Sequence, residues 1–183
     1  MYQPSTELEV PLFRWWLAAE VRRQRERNPL FEIDPGVLEL AWIQSKLKRS
    51  PRWPAGHLRG AALALQRGDL VFAANSLSAA AHLGYNDQSD RQAALLHGKL
   101  YIAAGEFARA VEVLKPSVVG AKDPVQVREE LIAAFVGLER YGEALAVLHR
   151  IPEAERGPEL STLKVFLERK LSGSPLSEQS SSR

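Results

Sequence analysis

The chain has 183 residues, 45% of them apolar and 25% charged, a balance that excludes wholesale disorder and suits one folded domain. It contains no cysteine, which excludes a disulfide framework, a thiolate metal site and a cysteine nucleophile. Lysine and arginine number 24 against 22 aspartate and glutamate, and the net charge of +2 gives no chain-wide field that points to nucleic acid.

The first residues, MYQPSTELEVPLFRWW, carry two glutamates and no basic side chain before the first apolar cluster, which is not the pattern of a cleaved secretory signal. The longest apolar runs, such as Leu131 to Val136, are six residues long, against the roughly 20 that a membrane span requires. These features predict a cytoplasmic protein with no membrane span. Over residues 11–27, Leu12, Phe13, Trp16, Leu17 and Val21 recur at intervals of three and four, giving a helix with one apolar face. Asn28-Pro29 breaks it. Asp34-Pro35 then reads as an N-cap with proline at the first helical position, opening a helix that runs to about Arg49. All four tryptophans, Trp15, Trp16, Trp42 and Trp53, fall in residues 1–53, which read as a helical hairpin for docking or capping. Trp15 and Trp16 have two readings, as core on an apolar stripe or as a docking patch, since tryptophan is enriched at binding hot spots. Neighbours on a helix point about 100° apart, so one of the pair is expected to be exposed, Trp15 before Trp16.

Strand signals are scarce beyond residue 53, where alanine and leucine dominate. Three segments align, PAGHLRGAALALQRGDLVFAANSLSAAAHL from Pro54, RQAALLHGKLYIAAGEFARAVEVLKPSVV from Arg91 and VQVREELIAAFVGLERYGEALAVLHRIPE from Val125. They bound repeats over 54–90, 91–124 and 125–158. Each holds a helical stretch, a short turn and a second helix with alanine followed four residues later by leucine. Residues 159–171, with Leu160, Leu163, Phe166, Leu167 and Leu171 on one face, predict a terminal capping helix. The polar tail 172–183 cannot bury enough apolar surface to offset its ordering entropy and is expected to be disordered.

These segments resemble tetratricopeptide repeats. The middle one carries Gly98 and Tyr101 in its first helix, Gly105-Glu106-Phe107 at the turn, and Ala110 and Leu114 in its second helix. Leu131, Phe135, Tyr141, Ala144 and Leu148 take corresponding places in the third, with Ile132 where a small residue is usual. Ala61, Ala64, Gly68, Ala73, Leu77 and Ala80 do so in the first, which lacks an aromatic in its first helix. The consensus tryptophan is replaced by His57, Ala94 and Arg128. The resemblance covers roughly residues 54–152 and implies an all-α fold: a short α-solenoid of about three hairpins, with the N-terminal hairpin and the capping helix at its ends.

The resemblance also implies a concave groove lined by the first helix of each repeat. Its lining would be Ala55, Leu58, Ala62 and Leu65, then Gln92, Leu95, Lys99 and Ile102, then Gln126, Glu129, Ala133 and Val136. Such a groove suits an apolar or amphipathic segment of another protein, unless residues 1–53 of the same chain cover it. The lysine-and-asparagine clamp that some relatives use for a C-terminal carboxylate is absent, with Leu58, Ala62 and Leu95 in its place, so the tails of heat-shock chaperones are not expected partners. Two readings remain open. One is a chaperone or adaptor similar to the bacterial type III secretion class, which dimerises through its N-terminal helices. The other is a scaffold or accessory subunit that assembles or regulates a larger complex through its N-terminal hairpin.

No chemistry is legible. His57, His82, His97 and His149 form no close pair of the kind zinc sites use. No phosphate loop, dinucleotide fingerprint or nucleophile elbow is present. The chain is expected to be no enzyme and to need no metal or cofactor. The run Arg22-Arg23-Gln24-Arg25-Glu26-Arg27 reads as a solvated helix end favoured by the C-terminal dipole, not as a nucleic-acid site.

Overall fold

The computed structural model describes residues 6–28, 34–87, 90–118 and 125–172. Among them the chain is all-helical: α1 Thr6–Arg27, α2 Pro35–Arg49, α3 Pro54–Gln66, α4 Leu70–His82, α5 Arg91–Ala103, α6 Phe107–Ser117, α7 Val125–Gly137, α8 Tyr141–His149 and α9 Pro158–Leu171, with a single 3₁₀ turn at Glu153–Glu155. The predicted tail from residue 173 onward and the break at Pro29 lie outside the described residues.

Local chemistry sets the helix starts. Asp34 caps α2 by accepting from the Gly36 amide at 2.8 Å, with Pro35 in the first turn. Asp69 caps α4 through the Phe72 amide at 3.0 Å, and Asp90 caps α5 through the Ala93 amide at 2.9 Å. The ends of α3, α4 and α7 share one device. After α3, Gly68 takes a left-handed φ of 73° while the Gly68 amide donates to Leu65 O and the Asp69 amide to Ala64 O. After α7 the same two bonds run from Glu139 to Val136 O and from Arg140 to Phe135 O, with Glu139 at φ 58°. This is the glycine-type helix stop, filled in the second case by a residue that pays a Cβ penalty.

The chain forms two compact units, Met1–Ala104 and Gly105–Arg183. The boundary falls inside the second repeat segment, whereas the sequence reading divided the chain after residue 53. In the first unit α2 joins α3 because Leu40 and Ile43 of α2 pack on Trp53 and on Leu63 of α3. A second cluster joins Leu58, Ala61 and Ala64 of α3 to Ala73, Leu77 and Ala80 of α4 and to Ala93, Leu96 and Leu100 of α5. Ala61 and Ala64 of α3 and Ala73 and Ala80 of α4 are fully buried, so the two backbones approach closely. In the second unit α6 packs on α7, α7 on α8 and α8 on α9. Its buried side chains include Ala110, Leu114, Leu131, Ile132, Phe135, Ala144, Leu148, Ile151 and Leu167. Ile132, at a position where a small residue was expected, is fully enclosed there.

Candidate interaction sites

The groove residues inferred from the resemblance divide between the units. In the first, α3 and α5 are packed neighbours. Leu58 is buried in the core between them, while Ala62, Leu65, Leu95, Lys99 and Ile102 are half-buried and Gln92 is exposed. Leu95, Lys99 and Ile102 follow one another at four and three residues and so share one line of α5. In the second unit Gln126, Glu129 and Ala133 are exposed along α7 and Val136 is half-buried.

A second candidate surface lies on α1. Trp15 is 73% exposed and Trp16 53% exposed. Trp15 is thus the exposed member expected of the pair, and the core reading is corrected for Trp16. Leu17 and Val21 take the buried line of the helix, and Phe13 stacks on Trp42 of α2 with ring centroids 4.1 Å apart. Trp42 in turn meets Trp53 edge-on at 5.7 Å. The tryptophans that do enter the interior are thus Trp42, partly, and Trp53, wholly. The Lys46 ammonium sits over both rings, 4.4 Å from the Trp53 centroid and 5.4 Å from that of Trp42. Burial, and then the charge of Arg49, lowers the Lys46 pKa from its ordinary value.

Beside Trp15 a cleft of about 710 Å³ opens between α1, the start of α2 and α3. Arg14, Trp15, Leu17 and Ala18 form one wall, Pro35, Gly36 and Glu39 another, and Arg59, Leu63 and Gln66 the third. Glu39 is only 4% exposed. Its two oxygens accept from Arg59 Nε at 2.7 Å and Arg59 Nη2 at 2.8 Å, and Arg14 Nε stands 3.7 Å away. The hydrogen bonds to Glu39 hold the Arg59 guanidinium above its ordinary pKa, against the opposing effect of its own partial burial. At the cleft mouth Asp34 Oδ2 accepts from Arg67 Nη2 at 2.5 Å, and Arg67 Nη1 donates to Leu63 O at 3.1 Å. Both carboxylates of the cleft are therefore met by arginines from α3 or its end. Sequence reasoning did not find this cluster. One signal was present: Glu39 stands four residues before Ile43, on the inward line of α2, where a carboxylate needs a cationic partner.

Three further features stand apart from this cleft. His57 is buried, with Nε2 2.8 Å from Pro51 O, and this bond places the ring proton on Nε2. His97 pairs with Asp87 and stacks near Tyr101, tying the segment after α4 to α5. In the second unit a hollow of about 250 Å³ between α6, α7 and α8 has Leu131, Phe135 and Val147 in its floor and Lys115, Glu143 and Arg150 at its rim. Among the described residues there is no group of three or more His, Asp or Glu side chains that could hold a metal ion, and no helix is long and apolar enough to cross a membrane.

No family model, curated protein or solved structure gives a significant match to this chain.

Proposed function

We propose that the protein is a non-catalytic interaction module built from tetratricopeptide-like helical hairpins, acting as an adaptor or accessory subunit that docks partners through its N-terminal hairpin. The observation that carries this reading is the exposure of two adjacent tryptophans, Trp15 and Trp16, on α1 beside a cleft. A water-exposed tryptophan forgoes a large burial gain, and such residues are concentrated at protein-binding hot spots. The repeat reading draws support from the close α3–α4 contact through alanines and from the shared stop after α3 and α7.

A second reading, a chaperone that holds an apolar or amphipathic segment in the groove, draws support from Leu95 and Ile102, which are half-buried on one line of α5. α1 approaches α3 on the side of Arg59, Leu63 and Gln66, one step around the helix from Ala62 and Leu65. The two readings separate in a tagged pull-down from the native host. Loss of a stoichiometric companion in Trp15→Ala/Trp16→Ala, with retention in Leu95→Asp/Ile102→Asp, favours the N-terminal hairpin. The reverse pattern favours the groove, and retention by both variants sinks both surfaces.

A further inference from the structure

We infer that the cleft between α1, α2 and α3, together with the arginine line that leaves it along α1, is a docking site for an acidic protein segment with one apolar anchor residue. This rests on the reading of the N-terminal hairpin as the docking element and gives that element a partner chemistry.

The geometry of α1 supplies the first argument. Arg14, Ala18, Arg22 and Arg25 are separated by four, four and three residues and share one line of the helix. Arg14, Ala18, Arg22 and Arg25 are all exposed, and Trp15 borders the line at the cleft end. From Arg14 to Arg25 the line runs roughly 16 Å, about three helical turns at 1.5 Å per residue. Charge supplies the second. Inside the cleft Glu39 is neutralised by Arg59 and Asp34 by Arg67. Arg14 also reaches Glu39 at 3.7 Å, so the positive field of the line comes chiefly from Arg22 and Arg25, with Glu26 at its far edge. Glu20 lies elsewhere on the helix and is held by Arg23 at 2.8 Å.

Shape supplies the third argument and selects the occupant. Trp15 and Ala18 give one wall of the cleft an exposed apolar face above the buried Leu17 and Leu63, against which a leucine-sized or aromatic side chain can rest, and the rest of the lining is mostly polar. Carboxylates placed after that anchor at helical spacing then meet Arg22 and Arg25. A bilayer surface fits less well, because Trp16 points about 100° beyond Trp15, away from the arginine line, and a flat surface cannot engage both. A double-stranded nucleic acid, its bases paired and stacked, would meet the arginines but leave the cleft without an apolar guest, whereas a single strand, whose bases can stack on an exposed indole, is the rival that the displacement arm tests.

The test uses the full chain and a dye-labelled synthetic peptide with one leucine followed at helical spacing by several glutamates. The expected result is saturable binding that weakens with added salt, and a loss of roughly tenfold or more for Trp15→Ala and for Arg14→Gln/Arg22→Gln/Arg25→Gln. The same peptide with glutamine for glutamate, or alanine for leucine, is expected to bind at least roughly tenfold more weakly, since each removes one of the two complementary features. Circular dichroism of the variants confirms that they stay folded. Equal binding of the glutamine peptide, or variants that bind as wild type, overturns the proposal. Displacement of the peptide by a single-stranded oligonucleotide or by anionic vesicles at lower concentration than by unlabelled peptide assigns the surface to those ligands and also overturns it. If the peptide fails while Trp15→Ala/Trp16→Ala still abolishes capture of a host protein, the acidic chemistry is wrong and the docking reading stands. If that pair captures as wild type, the docking reading itself falls.

Discussion

The indole of Trp53 packs directly against the Cα of Gly56, so that a Cβ at residue 56 would fall inside contact distance of three ring carbons. Trp53 is 1% exposed and has no free space to yield. In an ordinary helix interior Gly→Ala stabilises by about 1 kcal/mol. Here the sign reverses. Gly56→Ala is expected to destabilise the protein by roughly 1–3 kcal/mol, the cost of overpacking a filled core. Chemical denaturation of Gly56→Ala, Trp53→Leu and the double variant checks this. The alanine should cost less in the Trp53→Leu background than in wild type.

The Arg59–Glu39 pair is nearly enclosed on the carboxylate side. Arg59→Met leaves Glu39 with only the more distant Arg14 and is expected to cost roughly 2–4 kcal/mol, the low side of the range for stranding a buried charge because Arg59 is itself partly exposed. Arg59→Met/Glu39→Met should recover most of that loss. The Arg59 pKa is raised in the fold, so its contribution is complete below the ordinary arginine value and is lost only as pH climbs through the raised one. The guanidinium therefore adds no pH dependence between about pH 6 and about pH 9, where both values lie above the window. Denaturation midpoints of wild type and Arg59→Met/Glu39→Met across that range would show a changing gap if another arrangement held the pair.

Glu139 occupies a left-handed position that glycine fills after α3, α4 and α5. Glu139→Gly relieves the Cβ penalty of about 1 kcal/mol, less the extra freedom glycine gains in the unfolded chain. A net gain of up to about 1 kcal/mol is expected, read as a higher melting temperature. Glu139→Val, with a branched Cβ, should fall in the opposite direction.

Trp15 and Trp16 should matter little to stability. Each alanine variant is expected to change the unfolding free energy by less than about 0.5 kcal/mol, as for other exposed positions. A larger loss at Trp16 would mean that its contact with Phe13, at 5.7 Å between centroids, belongs to the core.

Lys46→Met tests the cation over the two indoles. Removing the charge gives up roughly 0.5–1 kcal/mol of cation–π attraction, while it relieves the desolvation that lowers the Lys46 pKa. The two effects oppose, so the expected change is under about 1 kcal/mol in either direction. A much larger loss in thermal denaturation would show that one of them has been misjudged.

The sequence carried the local features well, because they depend on neighbours along the chain. Asp34-Pro35 marks a helix start, and α3, α5 and α7 begin at Pro54, Arg91 and Val125, the starts of the three aligned segments. Caps and turn residues act within a few positions of themselves, so one chain is enough to read them. The cleft was not legible in the same way. Glu39 and Arg59 are 20 residues apart, and nothing local says which cation meets a carboxylate on an inward face. Periodicity grouped Trp16 with Phe13 and Leu17, but only the placement of α2 decides which members of that stripe are covered. Leu58, assigned to the groove by resemblance, turned inward because α5 packs against α3 on that side.

Asp34 does two things at once. One oxygen closes the first turn of α2, and the other holds Arg67, which also grips the last turn of α3 through Leu63 O. A helix start and a helix end separated by 33 residues thus hang on one carboxylate. Opening either end removes a partner from the other, so the first turn of α2 and the α3–α4 corner should exchange their amide hydrogens as one cooperative unit. Neutralising Asp34 would uncouple them, letting the start of α2 fray alone and slackening the wall of the cleft without disturbing the tryptophans beside it.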